Sequence, residues 1–404
     1  MWSREPKCEA DSPASGHGMR SSSQLHRVSE RMYAGTKNDI LSSDAQSASS
    51  NSVEPGDAAL RASQEPLKVA FDAGDVQPWE PRNFKLVRKI QDAPRSHGQV
   101  LHMIDTITCK EVAVKQIPNS WIRQHPEDFD QQLYGEGEHP WVGIGCAALL
   151  TKADYQYACP LLGVYRDEQT THIVMELARE GDLFSWCYSP HVPAPGPERE
   201  TLVRPLARQI IESLQQLHNL SIVHGDVSLE NIVLSTPLNI QLIDFGKSST
   251  TRFFRSGIRS EHSYAAPEMH TGTEFDGFLS DAFAVGVTLY ALLLNEYPWV
   301  STRPGCCKSF DYFRENGFSA FIKKRHLLRG AHVEKLLSEP VVEILSGLLD
   351  ADPAARLTLG ESAWADTGRR SVGQSSWLDE AAAPKAGEVA TSTTDACAAG
   401  ALEA

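Results

Sequence analysis

Four residues set the tightest limit on what this chain can fold into. Asp226 is followed five positions later by Asn231 and thirteen after that by Asp244, and Lys115 precedes all three. They stand in Val112-Ala113-Val114-Lys115, in His224-Gly225-Asp226-Val227-Ser228-Leu229-Glu230-Asn231 and in Asp244-Phe245-Gly246. One aspartate in a turn normally serves as an Asx-turn or a helix cap. Three hard oxygen donors and a strand lysine in this order ask for more. Asp226 suits the acceptance of a hydroxyl proton. Asn231 and Asp244 suit Mg2+, which prefers carboxylate, carbonyl and water oxygens. Lys115 shares a strand face with the small Ala113, because strand side chains alternate. A cation for phosphate beside room for a flat base is what a nucleotide site needs.

The hydrophobic pattern around these residues changes along the chain. Strand-like pieces come first, at 84–90, 99–105, 110–117 and 172–177. Helical spacing follows, with Leu206, Ile210, Ile211, Leu214 and Leu217 on one face. The stretch from Ala282 to Leu294 is apolar nearly all round, which predicts a buried helix too short to span a bilayer. Strands before helices predict an α+β fold in two lobes. The proline-rich piece from Ser189 to Pro197 reads as a surface insertion between helices.

Residues 1–80 carry serine runs and no sustained period, and residues 366–404 end in an alanine-rich stretch. Both read as disordered tails flanking one ordered domain at 81–365. A net charge of −14 argues against a partner that is nucleic acid, whose binding needs a basic face. The N-terminus has no apolar run of signal-peptide length. Eight scattered cysteines form no Cys-x-x-Cys pair, which predicts free thiols in a reducing compartment. These features predict an intracellular chain, cytoplasmic or nuclear, with no membrane span.

With these residues in view, the ordered block resembles a eukaryotic protein kinase domain of a divergent, serine/threonine-like kind. The resemblance implies a bilobal fold with a small β-rich N-lobe and a larger helical C-lobe. It implies ATP and Mg2+ as cofactors and protein hydroxyls as substrates. In that family the strand lysine holds the α/β-phosphates, the loop aspartate receives the substrate proton, and the loop asparagine and the Asp-Phe-Gly aspartate hold the metals. Those roles fall on Lys115, Asp226, Asn231 and Asp244. Met175, Glu176 and Leu177 resemble the hinge that faces adenine, Asp182 the ribose-contacting acid, and Val233 a further nucleotide contact. Ala266-Pro267-Glu268 resembles the end of the activation segment, with Arg356 as the ion-pair partner of Glu268. Asp281 resembles the residue that braces the catalytic loop. Small-molecule phosphotransferases share the His-Gly-Asp form, but they generally lack the Ala-Pro-Glu segment and its arginine.

The chain departs from that pattern at four places. The glycine-rich loop reads Ala93, Arg95, Gly98 and Val100 where the family has three glycines and a valine, which weakens the cradle for phosphate. An ungapped count puts Cys146 where a helix glutamate should clamp the lysine, with Glu136 and Glu138 upstream. Gly225 replaces the arginine that meets an activation-loop phosphate, so Ser248, Ser249, Thr250 and Thr251 read most simply as a polar loop. Two residues past Asp226 the family's serine/threonine members carry a lysine, and here Ser228 stands. Tyrosine kinases use an arginine two further on, where this chain has Glu230, so neither substitute cation is expected. A partner-binding pseudokinase is the alternative that these losses support.

Overall fold

The computed structural model describes residues 71–125, 139–255 and 263–379. They fall into two compact units. One takes in the described residues of Asp72–Tyr134 and Leu161–Leu177, the other those of Gly135–Pro160 and Ala178–Ala404.

The first unit is a sheet. Its elements are β1 (Gln77–Pro78), β2 (Phe84–Ala93), β3 (Gly98–Asp105), β4 (Lys110–Pro118), the short α1 (Asn119–Ile122), β5 (Leu161–Arg166) and β6 (Thr170–Glu176). The strand order is β1-β5-β6-β4-β3-β2. Alternation sorts the side chains. Leu101, Met103, Val112, Val114 and Val174 close into a buried cluster on one face, with Trp79, Phe84 and Tyr165 against it. Trp79 stacks on His172 at 3.8 Å and on Phe84 at 4.3 Å, while Gln77–Pro78 pair in parallel with β5. The described residues thus already hold structure ahead of the expected limit at 81, where Trp79 anchors the segment.

The second unit is mainly helical. It holds α2 (Pro140–Lys152), α3 (Leu183–Cys187), α4 (Pro197–Asn219), the hairpin β7 (Ile232–Thr236) and β8 (Asn239–Leu242), and the pair β9 (Phe253–Phe254) and β10 (Phe275–Asp276). Then come α5 (Gly277–Leu294), α6 (Lys308–Lys324), α7 (Glu339–Leu348) and α8 (Ser376–Asp379). The loop from Tyr188 to Gly196 separates α3 from α4, where an insertion was expected. The apolar run extends to an eighteen-residue helix, because Asp276 caps it by accepting the Phe278 amide at 3.0 Å. By length and composition α5 could cross a membrane, yet every residue of it is buried inside the unit. Structure also continues past 365: Val372 and Trp377 are each 1% exposed. Among the described residues Cys109, Cys146, Cys159, Cys187, Cys306 and Cys307 are free thiols; Cys8 and Cys397 lie outside them.

Two buried polar clusters hold α5 to its surroundings. Arg356 grips Glu268 with both guanidinium ends, at 2.5 and 2.9 Å, and donates to the Leu279 carbonyl at 2.8 Å. This is the pair expected from the sequence. His218, at the end of α4, lies between two carboxylates: its Nε2 is 3.0 Å from Asp281 and its Nδ1 2.8 Å from Glu361. Burial alone would push the imidazole pKa down. The hydrogen bonds and charges of Asp281 and Glu361 outweigh burial and push it up to about 9.

Removing one partner of a buried ion pair strands the other charge, at a cost of about 3–5 kcal/mol. Arg356→Met is therefore expected to lower unfolding free energy by about that amount, read from urea unfolding; a loss under about 1 kcal/mol contradicts the pairing. The His218 shift has its own signature. A histidine whose folded pKa exceeds its unfolded value of 6.5 stabilises fully below pH 6.5 and loses that stabilisation as pH rises through 9. The wild-type melting midpoint should fall over that interval, by the equivalent of about 3 kcal/mol. His218→Gln should be nearly flat there, and an equally steep fall in the variant would contradict the assignment.

Candidate active site

The first unit brings four of the predicted nucleotide contacts onto one face. In the register of the sheet Lys115 lies opposite Val100 and Ile173, and Ala113 opposite His102 and Met175. Directly opposed residues share a face. Val100, Ala113, Lys115 and Met175 therefore point away from the buried Val112–Val114 cluster. Glu176 pairs with Val112, so it belongs to the other face, and it is exposed. Leu177 follows the end of β6 and is half-buried.

The hairpin between β2 and β3 replaces a glycine-rich loop. Ala93 pairs with Gly98, and Pro94–Ser96 form a single 3-10 turn at the tip, with Arg95 exposed in it. The His97 amide donates within the turn to the Pro94 carbonyl at 3.2 Å, and His97 itself has φ 53°. The one retained glycine has a structural cause. A Cβ on Gly98 would lie 1.9 Å from the Gln116 carbonyl oxygen, so the close approach of β3 to β4 requires glycine there.

The second unit assembles the acid, the amide and the metal-type ligands. Asp281, inside α5, accepts the His224 amide at 2.8 Å and the Gly225 amide at 3.0 Å. The His224 ring is fully buried and accepts the Asp226 amide on Nδ1 at 3.3 Å; burial pushes its pKa down, so the ring is neutral. Asn231 Nδ2 donates to the Asp226 carbonyl at 2.9 Å and to its carboxylate Oδ2 at 3.1 Å. The Ile243 amide donates to the Asn231 carbonyl at 3.0 Å, which sets the residue before Asp244 against Asn231. Asp244 has φ 60° and ψ 68°, a left-handed backbone that costs energy for any residue but glycine. Two hard oxygen donors, the Asn231 side-chain amide oxygen and the Asp244 carboxylate, thus belong to adjoining segments of chain. Their chemistry fits Mg2+.

Asp182 and Val233 also come together, through a bridge between their backbones. Asp182 caps α3 by accepting the Ser185 amide at 2.6 Å, and burial raises its carboxyl pKa. The ungapped count for the clamping glutamate leads into α2, Pro-Trp-Val-Gly-Ile-Gly-Cys-Ala-Ala-Leu-Leu-Thr-Lys, and α2 contains no acid. Cys146 lies within it, fully buried, and burial pushes its thiol pKa up to about 12, so it stays neutral. Glu136 and Glu138 lie outside the described residues. α2 nevertheless touches the Asp-Phe-Gly backbone directly. The His139 amide donates to the Gly246 carbonyl at 2.6 Å, and a Cβ on Gly143 would sit 3.1 Å from the Gly246 nitrogen.

Neither Ser228 nor Glu230 supplies a cation, and Lys247, which the sequence did not single out, places its Nζ 2.9 Å from Asp226 Oδ1. Lys247 directly follows Asp-Phe-Gly, and its position next to that motif was the available signal. Ser248 is 3% exposed and its hydroxyl donates to the His224 carbonyl at 3.0 Å, in keeping with a structural polar loop. Arg252 forms a bidentate pair with Asp276 and lies 4.6 Å from the Phe278 ring and 4.3 Å from the Trp364 ring. The strands β9 and β10 are joined beside this pair.

Comparison with known proteins agrees with this geometry. Residues 96–366 match the protein kinase domain family model. A relative from Saccharomyces cerevisiae, named as the probable serine/threonine-protein kinase KCC4, is 35% identical over 142 residues, which is 34% of this chain and 13% of the relative. The chain thus aligns with only a small part of that relative's length. A family match over most of the chain, and a β-sheet unit and a helical unit carrying the motifs in the family's order, lead to one statement: this chain belongs to the protein kinase domain family.

Proposed function

We propose that the chain transfers the γ-phosphoryl group of ATP to serine or threonine hydroxyls of protein substrates, with Mg2+. The carrying observation is the Asp226 carboxylate, held at Oδ2 by Asn231 and at Oδ1 by Lys247. A carboxylate fixed at both oxygens presents a defined lone pair to an incoming hydroxyl. Asp226 accepts that proton as the hydroxyl oxygen forms its bond to phosphorus and ADP departs. Lys115 anchors the α/β-phosphates. Asn231 and Asp244 would hold Mg2+, which when bound offsets the charge of the phosphate oxygens. Ala113, Met175, Leu177 and Val233 supply apolar contact for the base, and Asp182 an acceptor for the ribose. Serine and threonine are favoured over tyrosine because Glu230 stands where tyrosine kinases carry arginine. A chain that consumes ATP works where ATP is, so the reading carries an intracellular setting, cytoplasmic or nuclear.

The hairpin without its glycines and the acid-free α2 support a second reading, a scaffold with weak or no transfer. Labelled γ-phosphate and a mixed Ser/Thr/Tyr substrate panel separate the two. Wild type should label serine or threonine, and Asp226→Asn and Lys115→Met should each lower transfer by about a hundredfold or more. Wild type indistinguishable from Asp226→Asn, in folded samples, establishes the scaffold. ATP should raise the melting midpoint more with Mg2+ than without it. Asp244→Asn should abolish that difference, and an undiminished Mg2+ effect in this variant would remove Asp244 from the metal site.

A further inference from the structure

The next inference rests on the phosphotransfer reading above. The loop His224–Asn231 carries no cation after Asp226, since Ser228 and Glu230 occupy the two positions where relatives place one. The Asp226 carboxylate nevertheless has an ammonium group at 2.9 Å, from outside the loop. The Lys247 side chain is 9% exposed and that of Asp226 4%. A lysine at such depth is unfavourable unless paired.

Three local features keep Lys247 in place. Gly225 has φ 76°, and a Cβ on it would lie 2.5 Å from the Lys247 carbonyl oxygen. Only glycine both adopts that backbone without strain and lets the two segments approach so closely. Next along the chain, the Ser248 hydroxyl donates to the His224 carbonyl. The Ser249 and Val223 backbones then exchange hydrogen bonds at 2.8 and 3.0 Å. Residues 247–249 are therefore strapped to residues 223–225, and the strap aims the Lys247 side chain at Asp226. The replacement of an expected arginine by Gly225 and the arrival of Lys247 are two sides of one arrangement. Any side chain at 225 would collide with the backbone that carries the lysine.

Asn231 already holds one carboxylate oxygen. Adding Lys247 on the other fixes the carboxylate plane and sets a positive charge beside the proton acceptor. We propose that Lys247 is the positioning residue of phosphoryl transfer in this chain, replacing from the far side of Asp-Phe-Gly the lysine that its catalytic loop lacks. It orients Asp226 and keeps a fixed positive charge next to the atoms among which charge shifts as the phosphoryl group moves. Preorganised charge of this kind is worth about 10²–10³ in kcat where one such group is removed.

The test is steady-state transfer from Mg-ATP by the full chain, for wild type, Lys247→Met, Lys247→Gln and Lys247→Arg, with Asp226→Asn beside them. Methionine keeps the apolar stem without the charge. Glutamine keeps a donor for Asp226 without the charge, and it remains informative if the methionine variant fails to fold. Both neutral variants should lose about a hundredfold in kcat while KM for ATP stays within about threefold. Arginine should recover at least about tenfold over them. A neutral variant with kcat within about threefold of wild type overturns the proposal. So does an arginine variant no better than glutamine at equal folded fraction, since that pattern means packing alone. A wild type that transfers no label removes the phosphotransfer reading and this inference with it. Active wild type and inactive Asp226→Asn, with unaffected lysine variants, removes the inference only.

Discussion

The Asp281 carboxylate is the point on which the loop His224–Asn231 depends. It sits in a helix buried along its whole length, and it accepts the amides of His224 and Gly225 and faces the Nε2 of His218. A helix of eighteen buried residues has nowhere to move without opening a core that is close-packed. Hydrogen bonds from that helix therefore transfer the rigidity of the core to a loop that has no regular structure of its own. His218 keeps the carboxylate company as a cation, and Glu361 balances it from the other side.

From this fixed loop the rest of the site is built by short backbone links. Asn231 reaches back to Asp226, Ile243 is hung on Asn231, and Asp244 turns through a left-handed conformation into Phe245 and Gly246. Beyond the glycine the chain doubles back along the loop and delivers Lys247. Electrostatics and packing cooperate here. The lysine is tolerated in the interior because Asp226 pairs with it, and the pair is close because Gly225 has no side chain. Further on, Arg252 and Asp276 join β9 and β10 by charges that belong to the chain itself. That segment is held without the arginine that relatives use to grip a phosphate.

What the sequence revealed was what depends on local order. The strand face of Val112 and Val114 against that of Ala113 and Lys115 follows from a period of two, and the buried helix around Ala282–Leu294 from its all-round apolarity. The Glu268–Arg356 pair, and Asp281 under the loop, could be read because the motifs keep the family's order. Cys146, where an ungapped count looks for a helix acid, lies in α2, and α2 carries no acid. The rest depended on distant segments meeting. Trp79 gives no periodic signal, and its stacking on His172, with the pairing of Gln77–Pro78 on β5, is what places structure before residue 81. Gly98 resembles a remnant of a phosphate loop until the Gln116 carbonyl is found where its Cβ would be. For Lys247 the sequence offers only its place directly after Asp-Phe-Gly, since its contact with Asp226 arises from a turn that brings position 247 onto position 226.

Amide hydrogen exchange resolved at single residues tests the central claim, that a core carboxylate fixes the loop His224–Asn231. In wild type the His224 and Gly225 amides should exchange as slowly as those in the middle of α5, because opening them requires opening the core. In Asp281→Asn they should exchange far faster while α5 itself stays protected. Fast exchange of both amides in the wild-type protein, at the rate of exposed loops, would contradict the account.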